Sequence, residues 1–219
     1  MNYIIPAHNE ALNLPAVVRD IFIYDSKAHI CILNSASTDK GMEIIDQYPV
    51  VVLDAPKGYT HALAQGYQYA QQMGWDSLIQ LDGDGQHHPM YARALHAQLA
   101  HADWVVASRH HTGSSATRGV RYASWVGCRY LLDGKLHDPS SGYWALSEKA
   151  IHRFAEIFPI PFTEIPLRAC EGRELNIVEV SVPMRERKEG VSMNAGWKGV
   201  VHGFKMIYAG WKSKEKQQK

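Results

Sequence analysis

The 219-residue sequence has few cysteines, no long hydrophobic run and almost no net charge. Its three cysteines, Cys31, Cys128 and Cys170, are widely spaced, and none belongs to a Cys-x-x-Cys pair. An odd number of scattered cysteines does not support a disulfide framework. We therefore expect reduced thiols in the core of a cytoplasmic protein.

Targeting and membrane-spanning segments are also missing. The chain runs directly into Tyr3-Ile4-Ile5-Pro6, without the basic and apolar regions of a signal peptide. No window reaches the ~18 uninterrupted apolar residues that a membrane-spanning helix needs. A net charge of +1 gives no basic field to attract nucleic acid. These absences predict a soluble protein without a nucleic-acid partner, whose function depends on local sites.

The remaining composition is that of an ordinary globular protein, with 46% hydrophobic and 21% charged residues. The length suits one large domain, and no low-complexity linker divides it. We expect a single domain over residues 1–211, followed by a polar, basic tail over residues 212–219.

Short apolar runs alternate with amphipathic stretches through the first half of the chain. The predicted strands are residues 3–6, 30–33, 50–53, 77–81 and 104–108. The first predicted helix follows Asn13, the expected N-cap, and the others cover about residues 39–47, 60–73 and 89–99. In the third helix Ala62, Gly66 and Ala70 recur every fourth residue, which predicts close packing on a sheet. This alternation is typical of a mainly parallel, twisted sheet flanked by helices, a Rossmann-like α/β fold.

The second half is less regular. It contains predicted strands at residues 144–147 and 177–182, and predicted helices at about residues 118–132, 163–172 and 196–211.

Polar clusters follow four of the predicted strands. They are His8-Asn9-Glu10, Asn34-Ser35, Asp82-Gly83-Asp84 and Arg109. Because ligands bind at the carboxyl ends of the strands in such sheets, we expect these clusters to converge on one edge and form the functional site.

The strongest motif is Asp82-Gly83-Asp84-Gly85-Gln86-His87. Two carboxylates two residues apart at a strand end can point to the same side and bind one hard divalent cation, Mg²⁺ or Mn²⁺. Gly83 and Gly85 lack side chains, which would let a phosphate and a metal approach the backbone. The alternative is a solvated turn, but the position after an apolar strand favours the metal site.

The paired histidines, His87-His88 and His110-His111, are weaker candidates. Adjacent residues point to different sides, and a zinc site needs further ligands that the sequence does not place. We interpret them as ordinary polar histidines, with His87 as the one to test because it follows the metal segment.

Seven segments together resemble the family 2 glycosyltransferases of GT-A fold, and within them the dolichol-phosphate mannose synthase-like branch. In the order of that family, they are residues 4–10, 34–39, 57–66, 82–89, 107–109, 138–143 and 184–192. Each segment alone is weak evidence for the resemblance, whereas seven segments in the family's order along nearly the whole chain are specific evidence.

The resemblance implies a GT-A nucleotide-sugar-binding fold and a role for each matching residue. The implied nucleotide contacts are Pro6, His8, Glu10, Asn34 and Ser35. Asp82, Asp84 and Gln86 would hold the metal and the donor diphosphate, with Asp84 also counted as catalytic. Arg109 would lie near phosphate groups, which a guanidinium can hold bidentately. Arg187 and Ser192 would belong to a late loop that closes over the site.

One departure concerns the second motif, which usually reads Asp-Asp-Gly-Ser in the family. Here the aligned residues are Asn34 and Ser35, followed by Ala36. Neither Asn34 nor Ser35 is charged, although both can form hydrogen bonds. The nucleotide base is therefore left open.

The implied reaction is an in-line, inverting displacement at the anomeric carbon of a nucleotide-diphosphate sugar. A hydroxyl acceptor would need a general base, for which Asp138 is the first candidate and Glu164 the second. A phosphate acceptor would need none, and the resemblance favours a polyprenyl phosphate. A saccharide or protein hydroxyl acceptor, with Asp138 as the base, stays open.

Further partners follow from the C-terminal residues. The apolar helix predicted near residues 196–211 and the basic tail could contact the inner face of a membrane through residues 196–219, or the helix could pack on the core. A homodimer is also open. Two rival functions remain: a sugar nucleotidyltransferase, which the acidic, glycine-free His8-Asn9-Glu10 loop disfavours, and a nucleotide-sugar-binding module without catalysis.

Overall fold

A computed structural model describes residues 1–109, 136, 138, 141–160 and 175–185. These residues form seven strands, all in one sheet. The strands are β1 Asn2–Ala7, β2 His29–Ser35, β3 Val51–Ala55, β4 Ser77–Gln80, β5 Trp104–Ser108, β6 Trp144–Ser147 and β7 Ile177–Ser181. Every strand that the sequence predicts within the described residues is present, with ends shifted by at most two residues.

The strand order across the sheet is β3-β2-β1-β4-β6-β5-β7. β6 pairs antiparallel with both β4 and β5, and the other pairings are parallel. The predicted mainly parallel sheet is confirmed. The chain leaves β1 towards β2 on one side and returns to β4 on the other, so a topological switch point lies between β1 and β4.

The described residues also form five α-helices. They are α1 Leu14–Tyr24, α2 Gly41–Ile45, α3 Tyr59–Gln72, α4 Ala92–Ala97 and α5 Glu148–Ile157. Short 3₁₀ turns at Pro89–Tyr91 and Gln98–Ala100 flank α4, so the single helix predicted over residues 89–99 is divided into three pieces. α2 is shorter than predicted because Asp39 precedes the helix instead of entering it. Asp39 Oδ1 accepts a hydrogen bond from Gly41 N at 3.1 Å.

The core has two parts, one on each face of the sheet, because successive strand residues point to opposite faces. Ile4, Cys31 and Leu33 lie on the face covered by α3 and α5, and Ile5 and Ile32 lie on the face covered by α1 and α4. This alternation explains why the central strands read as continuous apolar runs: both of their faces are buried.

The small residues of α3 pack as predicted. Ala62, Gly66 and Ala70 are all buried in the core. A β-carbon at Gly66 would lie 2.6 Å from Leu33 Cδ1, so the absence of a side chain brings the helix close to β2.

One local prediction is partly corrected and one helix was missed. Asn13 is the N-cap residue of α1, as predicted, but its side chain makes no capping bond to the helix. Its amide instead donates to Glu10 Oε2 at 2.7 Å, and the carbonyl of Glu10 accepts from Asn13 N and Leu14 N. α5 was not predicted at all. The sequence contains two features that indicate this helix. Ser147 is an N-cap whose hydroxyl accepts a hydrogen bond from Ala150 N, and apolar residues at helical spacing follow it, including the buried Phe154.

Several predictions lie outside the described residues: the helices at residues 118–132, 163–172 and 196–211, the tail at 212–219, and Cys128 and Cys170. Within the residues that are described, no helix combines the length and the apolar character needed to cross a bilayer.

Cys31 provides a test of the core. The thiol is free and buried, and burial raises its pKa to about 12. Since the thiolate is the reactive form, we expect iodoacetamide at pH 8 to alkylate Cys31 at least about a thousandfold more slowly in the native protein than in urea. Peptide mapping by mass spectrometry measures both rates. Rapid native labelling of Cys31 would contradict its placement in β2.

Candidate active site

The candidate site lies at the carboxyl ends of β1 and β4, at the topological switch point. Gly83 N donates a hydrogen bond to Pro6 O at 3.3 Å, which holds the start of the Asp82–Asp84 segment against the end of β1. A β-carbon on Gly83 would lie 3.3 Å from the same carbonyl oxygen. A side chain at Gly83 would therefore crowd β1, and the role that the sequence suggested for Gly83, room for a ligand, stays a prediction.

The two carboxylates are held in different ways. Asp82 Oδ1 accepts a hydrogen bond from the Tyr59 hydroxyl at 2.9 Å, and its side chain is 30% exposed. Asp84 Oδ1 accepts from Gln86 N at 3.0 Å, which closes a tight turn around Gly85. Gly85 has φ of 77°, in the left-handed region that glycine tolerates best. Both carboxylates are thus fixed close to the strand end before any ligand binds.

The donor set suits a hard cation. Asp82, Asp84 and Gln86 offer carboxylate and amide oxygens, which Mg²⁺ and Mn²⁺ prefer. No group of three His, Cys, Asp or Glu side chains in the described part of the chain could hold a metal by itself. A cation at this position would complete its coordination with water and substrate phosphate oxygens, as Mg²⁺ commonly does.

His87 lies behind the two aspartates. It is 4% exposed, and its Nδ1 accepts a hydrogen bond from Asp82 N at 3.2 Å. Burial lowers the pKa of His87 to about 4; Asp84 and Asp138 oppose this shift, and Arg109 adds to it. The ring is therefore neutral near pH 7. As a hydrogen-bond acceptor, its Nδ1 holds the backbone N–H of Asp82 in place.

Arg109 and Asp138 form a bidentate ion pair beside this segment. Arg109 Nε donates to Oδ2 and Nη2 donates to Oδ1, both at 2.6 Å, and the Arg109 backbone N–H adds a third bond at 2.9 Å. Burial alone would lower the pKa of Arg109, but the hydrogen bonds and charge of Asp138 raise it. Asp138 is 3% exposed, and its backbone N–H donates to Glu179 Oε1 at 2.6 Å. Since Arg109 engages both carboxylate oxygens, Asp138 here orients the guanidinium.

The loops that follow β1 and β2 are tied together by Asn9. Its Oδ1 accepts from Thr38 N at 2.7 Å and from Asp39 N at 3.3 Å, and its backbone N–H donates to Ser37 Oγ at 3.1 Å. Asp39 Oδ2 in turn accepts from Ala11 N at 2.9 Å. We call these bonds the loop clasp. Asn9 itself has φ of 57°, in the left-handed region.

A cavity of about 390 Å³ opens beside the loop clasp. Its lining residues are Asn9, Glu10, Ala11, Leu12, Asn13, Thr38 and Asp39. Glu10 was predicted as a nucleotide contact and lies in this wall. Asp82, Asp84 and Arg109 do not line the cavity, so it is separate from the candidate metal site.

Pro6, His8 and Ser35 were also predicted to contact the nucleotide, and each contacts other parts of the protein. Pro6 is buried at the end of β1, and His8 Nδ1 is 2.7 Å from Ser35 O. The Ser35 hydroxyl is also buried and accepts from Gly58 N at 2.9 Å, which anchors the start of α3. Ligand contacts by these residues stay predictions.

Asn34 pairs with a carboxylate that the sequence reasoning missed. Its Nδ2 donates to Asp54 Oδ1 at 2.7 Å, and its Oδ1 accepts from Ser37 N at 3.0 Å. Asn34 and Asp54 are register partners in β2 and β3. Asp54 thus supplies a negative charge next to the position where the family has an acidic residue. Parallel register alone could have indicated Asp54, because it lies next to the last residue of the neighbouring strand.

Arg187, Ser192 and Glu164 lie outside the described residues. The described chain ends at Arg185, which leads towards Arg187. Arg185 N donates to Gln86 O at 3.0 Å, and its Nη1 donates to Asp20 Oδ2 at 2.7 Å. The segment before the predicted closing loop is therefore attached to the metal-binding segment itself.

The sequence also predicted no functional role for Tyr59, Gln80 or Gly142. Gln80 had a signal, because it is a polar residue inside an otherwise apolar strand. Gly142 lies so close to Asp82 that a β-carbon there would be 2.4 Å from Oδ2. Only the tertiary structure reveals that contact, since the two residues are sixty positions apart in the chain.

Comparison with known proteins gives matches both to the model of a protein family and to individual proteins. The model of the family described as glycosyl transferase family 2 matches residues 3–154. The polyprenol monophosphomannose synthase of Mycolicibacterium smegmatis is 27% identical over 88% of this chain and 80% of that protein. The undecaprenyl-phosphate mannosyltransferase of Micrococcus luteus is 26% identical over 90% of this chain and 88% of that protein.

Solved structures share the fold at lower identity. Glucosyl-3-phosphoglycerate synthase from Mycobacterium tuberculosis, in complex with Mn²⁺, uridine diphosphate and phosphoglyceric acid, superposes with a TM-score of 0.73 at 18% identity. That alignment covers 97% of this chain and 77% of the other. Its complex with Mg²⁺ and uridine diphosphate gives a TM-score of 0.71 at 19% identity, over 97% of this chain and 78% of the other.

Gly142→Ala tests the geometry around Asp82. The new methyl group would overlap the carboxylate, so Asp82 must rotate away from its position. We expect Mn²⁺ binding, measured by calorimetry, to weaken about tenfold or more, as when the partners of a metal ligand are changed.

Gly74→Ala is the matched control, because no atom lies within 4 Å of its added methyl group. Gly74 has φ of 63°, so this variant should lose about 1 kcal/mol of folding stability through backbone strain but keep its Mn²⁺ affinity. Equal affinities in Gly142→Ala and the wild type would argue against Asp82 as a ligand.

Proposed function

The chain belongs to glycosyl transferase family 2, and from that premise we propose that it transfers a hexose from a nucleoside-diphosphate sugar to a polyprenyl phosphate, with Mg²⁺ or Mn²⁺ bound at Asp82, Asp84 and Gln86. As a member of this family it is a glycosyltransferase of GT-A fold. The observation that carries the proposal is the position of Asp82 and Asp84 at the switch point between β1 and β4, with Asp82 within electrostatic reach of Arg109.

The donor would lie across the carboxyl edge of the sheet. Glu10 and the loop clasp lie on the side of β1 and β2, which is where we propose that the nucleoside binds. The diphosphate would then reach Asp82 and Asp84. A divalent cation bound there would supply positive charge opposite the negative charge that develops on the departing nucleoside diphosphate.

The reaction would break the bond between the anomeric carbon and the donor diphosphate while an acceptor oxygen forms a new bond to that carbon. Arg109 is held beside the site by Asp138, so its guanidinium is pre-oriented and need not be ordered during binding. A guanidinium in this position could hold phosphate oxygens of the donor or the acceptor.

The engagement of Asp138 supports a phosphate acceptor. To act as a general base, Asp138 would first have to release the hydrogen bonds from Arg109, and breaking a buried ion pair costs about 3–5 kcal/mol. A phosphate acceptor is already an anion and needs no base. The names of both curated relatives likewise specify polyprenol or undecaprenyl-phosphate chemistry.

A polyprenyl acceptor is embedded in a membrane, so the enzyme must approach the bilayer. We propose that residues 196–219, which lie outside the described residues, make this peripheral contact. Mannose is the first sugar to test, because both curated relatives are mannosyl-transferring enzymes by name.

Donor binding is tested by thermal unfolding with GDP, UDP, dTDP and CDP, each with and without Mn²⁺. A ligand at about 100 times its dissociation constant adds about 2.7 kcal/mol of stability. For a protein of this size that corresponds to a rise in Tm of about 5–10 °C. We expect one diphosphate to give this rise only with Mn²⁺ and to give none in Asp84→Ala.

A rise that is independent of both metal and Asp84 would refute the proposed cation site. If no diphosphate raises the Tm, the protein would share the fold of the family but would not bind a nucleotide-sugar donor.

The acceptor is tested by supplying radiolabelled nucleotide-sugar with either a polyprenyl phosphate or the corresponding free polyprenol in detergent micelles. We expect labelled lipid only from the phosphate, because Arg109 engages both carboxylate oxygens of Asp138, the candidate general base. Asp84→Ala should be inactive with both. Transfer to the free alcohol, abolished in Asp138→Asn, would show instead that Asp138 is a general base.

A further inference from the structure

Gln80 is a buried polar residue at the end of β4, directly beneath the candidate metal site. Its side chain is 0% exposed and lies among apolar neighbours of the sheet. A buried amide must form hydrogen bonds, because an unpaired one costs about 1–3 kcal/mol. The partners of Gln80 therefore show what the residue does.

The amide connects two tyrosines of α3. Gln80 Oε1 accepts a hydrogen bond from the Tyr67 hydroxyl, and Nε2 donates to Gly142 O at 3.2 Å. Nε2 also donates to the Tyr59 hydroxyl at 3.4 Å. The Tyr59 hydroxyl in turn donates to Asp82 Oδ1 at 2.9 Å. A continuous chain of hydrogen bonds thus runs from Tyr67 through Gln80 and Tyr59 to Asp82.

The direction of this chain is determined by the chemistry of its members. The carbonyl of Gly142 can only accept, so it must face the amide nitrogen of Gln80. The amide oxygen then faces Tyr67, which must donate. Because Nε2 supplies the proton to Tyr59, the Tyr59 proton is left for Asp82. Along the chain from Tyr67 to Asp82, each donor therefore points towards the carboxylate. Hydrogen bonds arranged in this way strengthen one another by mutual polarisation.

Both phenols keep their protons. Burial raises the pKa of Tyr59 and of Tyr67 well above the ordinary value, and the charge of Asp82 raises both further. The two hydroxyls are therefore protonated donors near neutral pH.

Gly142 closes the other side of the carboxylate. It accepts from Gln80 through its carbonyl, and its missing side chain leaves the space in which Asp82 lies. Asp82 thus lies between a hydroxyl donor and a backbone that approaches within van der Waals distance. A carboxylate with one accessible orientation loses less conformational freedom when it binds a cation.

We propose that Tyr67, Gln80 and Tyr59 act as positioning residues, whose directed hydrogen bonds orient the Asp82 carboxylate to receive a divalent cation. This inference rests on the proposed function, since it assigns Asp82 to a cation. It differs from a merely structural role of the tyrosines, which would affect folding stability without a specific effect on metal binding.

The test compares Tyr59→Phe with Tyr3→Phe. Both substitutions remove one hydroxyl from a tyrosine that hydrogen-bonds a carboxylate, but Tyr3 interacts with Asp25 at the amino end of β1, away from the site. Binding of Mn²⁺ alone is followed by the electron paramagnetic resonance signal of the free ion. The Mn²⁺ concentration for half-maximal sugar transfer is measured in parallel.

We expect Tyr59→Phe to raise the Mn²⁺ dissociation constant about tenfold or more, the usual effect of losing a partner of a metal ligand. Saturating Mn²⁺ should restore most of the transfer rate, because Asp82 is still present. Tyr67→Phe should weaken Mn²⁺ binding in the same direction but less, since it lies farther along the chain. Tyr3→Phe should leave the Mn²⁺ constant unchanged, whatever its loss of Tm.

Equal Mn²⁺ constants in wild type, Tyr59→Phe and Tyr67→Phe would overturn the inference while leaving the proposed function intact. An equal weakening in Tyr59→Phe and Tyr3→Phe would also overturn it, because the effect would then follow stability. If wild-type protein binds no Mn²⁺ and transfers sugar without it, the proposed cation site fails and the inference fails with it, although sugar transfer itself would stand.

Discussion

The pairing of β1 with β4 is the constraint on which the candidate site depends. It is short, with Tyr3 opposite Ile79 and Ile4 opposite Gln80, and it continues beyond the strands through the bond from Gly83 N to Pro6 O. At this position the chain connections leave the sheet in opposite directions, which opens a crevice that neither α1 nor α3 can fill. The acidic segment lies in that crevice because its backbone is bonded to β1.

The charges at the site are arranged in pairs and chains of bonds. Arg109 balances Asp138 at one end, and Tyr59 donates to Asp82 at the other. His87 contributes as a neutral acceptor, because a buried imidazolium next to Arg109 would be unfavourable. The result is a half-buried carboxylate pair near the surface, with neutral or charge-compensated residues behind it. Such an arrangement favours binding of a cation from solvent.

Much of this architecture could be predicted from the sequence, because it depends on local patterns. Apolar runs and helix periodicity located five strands of the first half, and the position of Asp82 after β4 followed from the rule for parallel sheets. What could not be predicted depends on contacts between distant segments. The approach of Gly142 to Asp82, and the pairing of Arg109 with Asp138, arise only when β6 inserts between β4 and β5. The side chain of Asn13 departs from the prediction for a local reason, since it donates to Glu10, three residues earlier, and does not cap α1.

The loop clasp has a consequence for how this protein can change during evolution. Asn9 joins two loops through one amide oxygen and a left-handed backbone, and Asp39 returns the connection through Ala11 N. A substitution at residue 9 would leave the backbone N–H groups of residues 38 and 39 without this acceptor simultaneously, whatever side chains those two positions carry. The wall that we assign to the nucleoside would then change in both loops at once, because residue 9 controls the conformation of the second loop through its backbone.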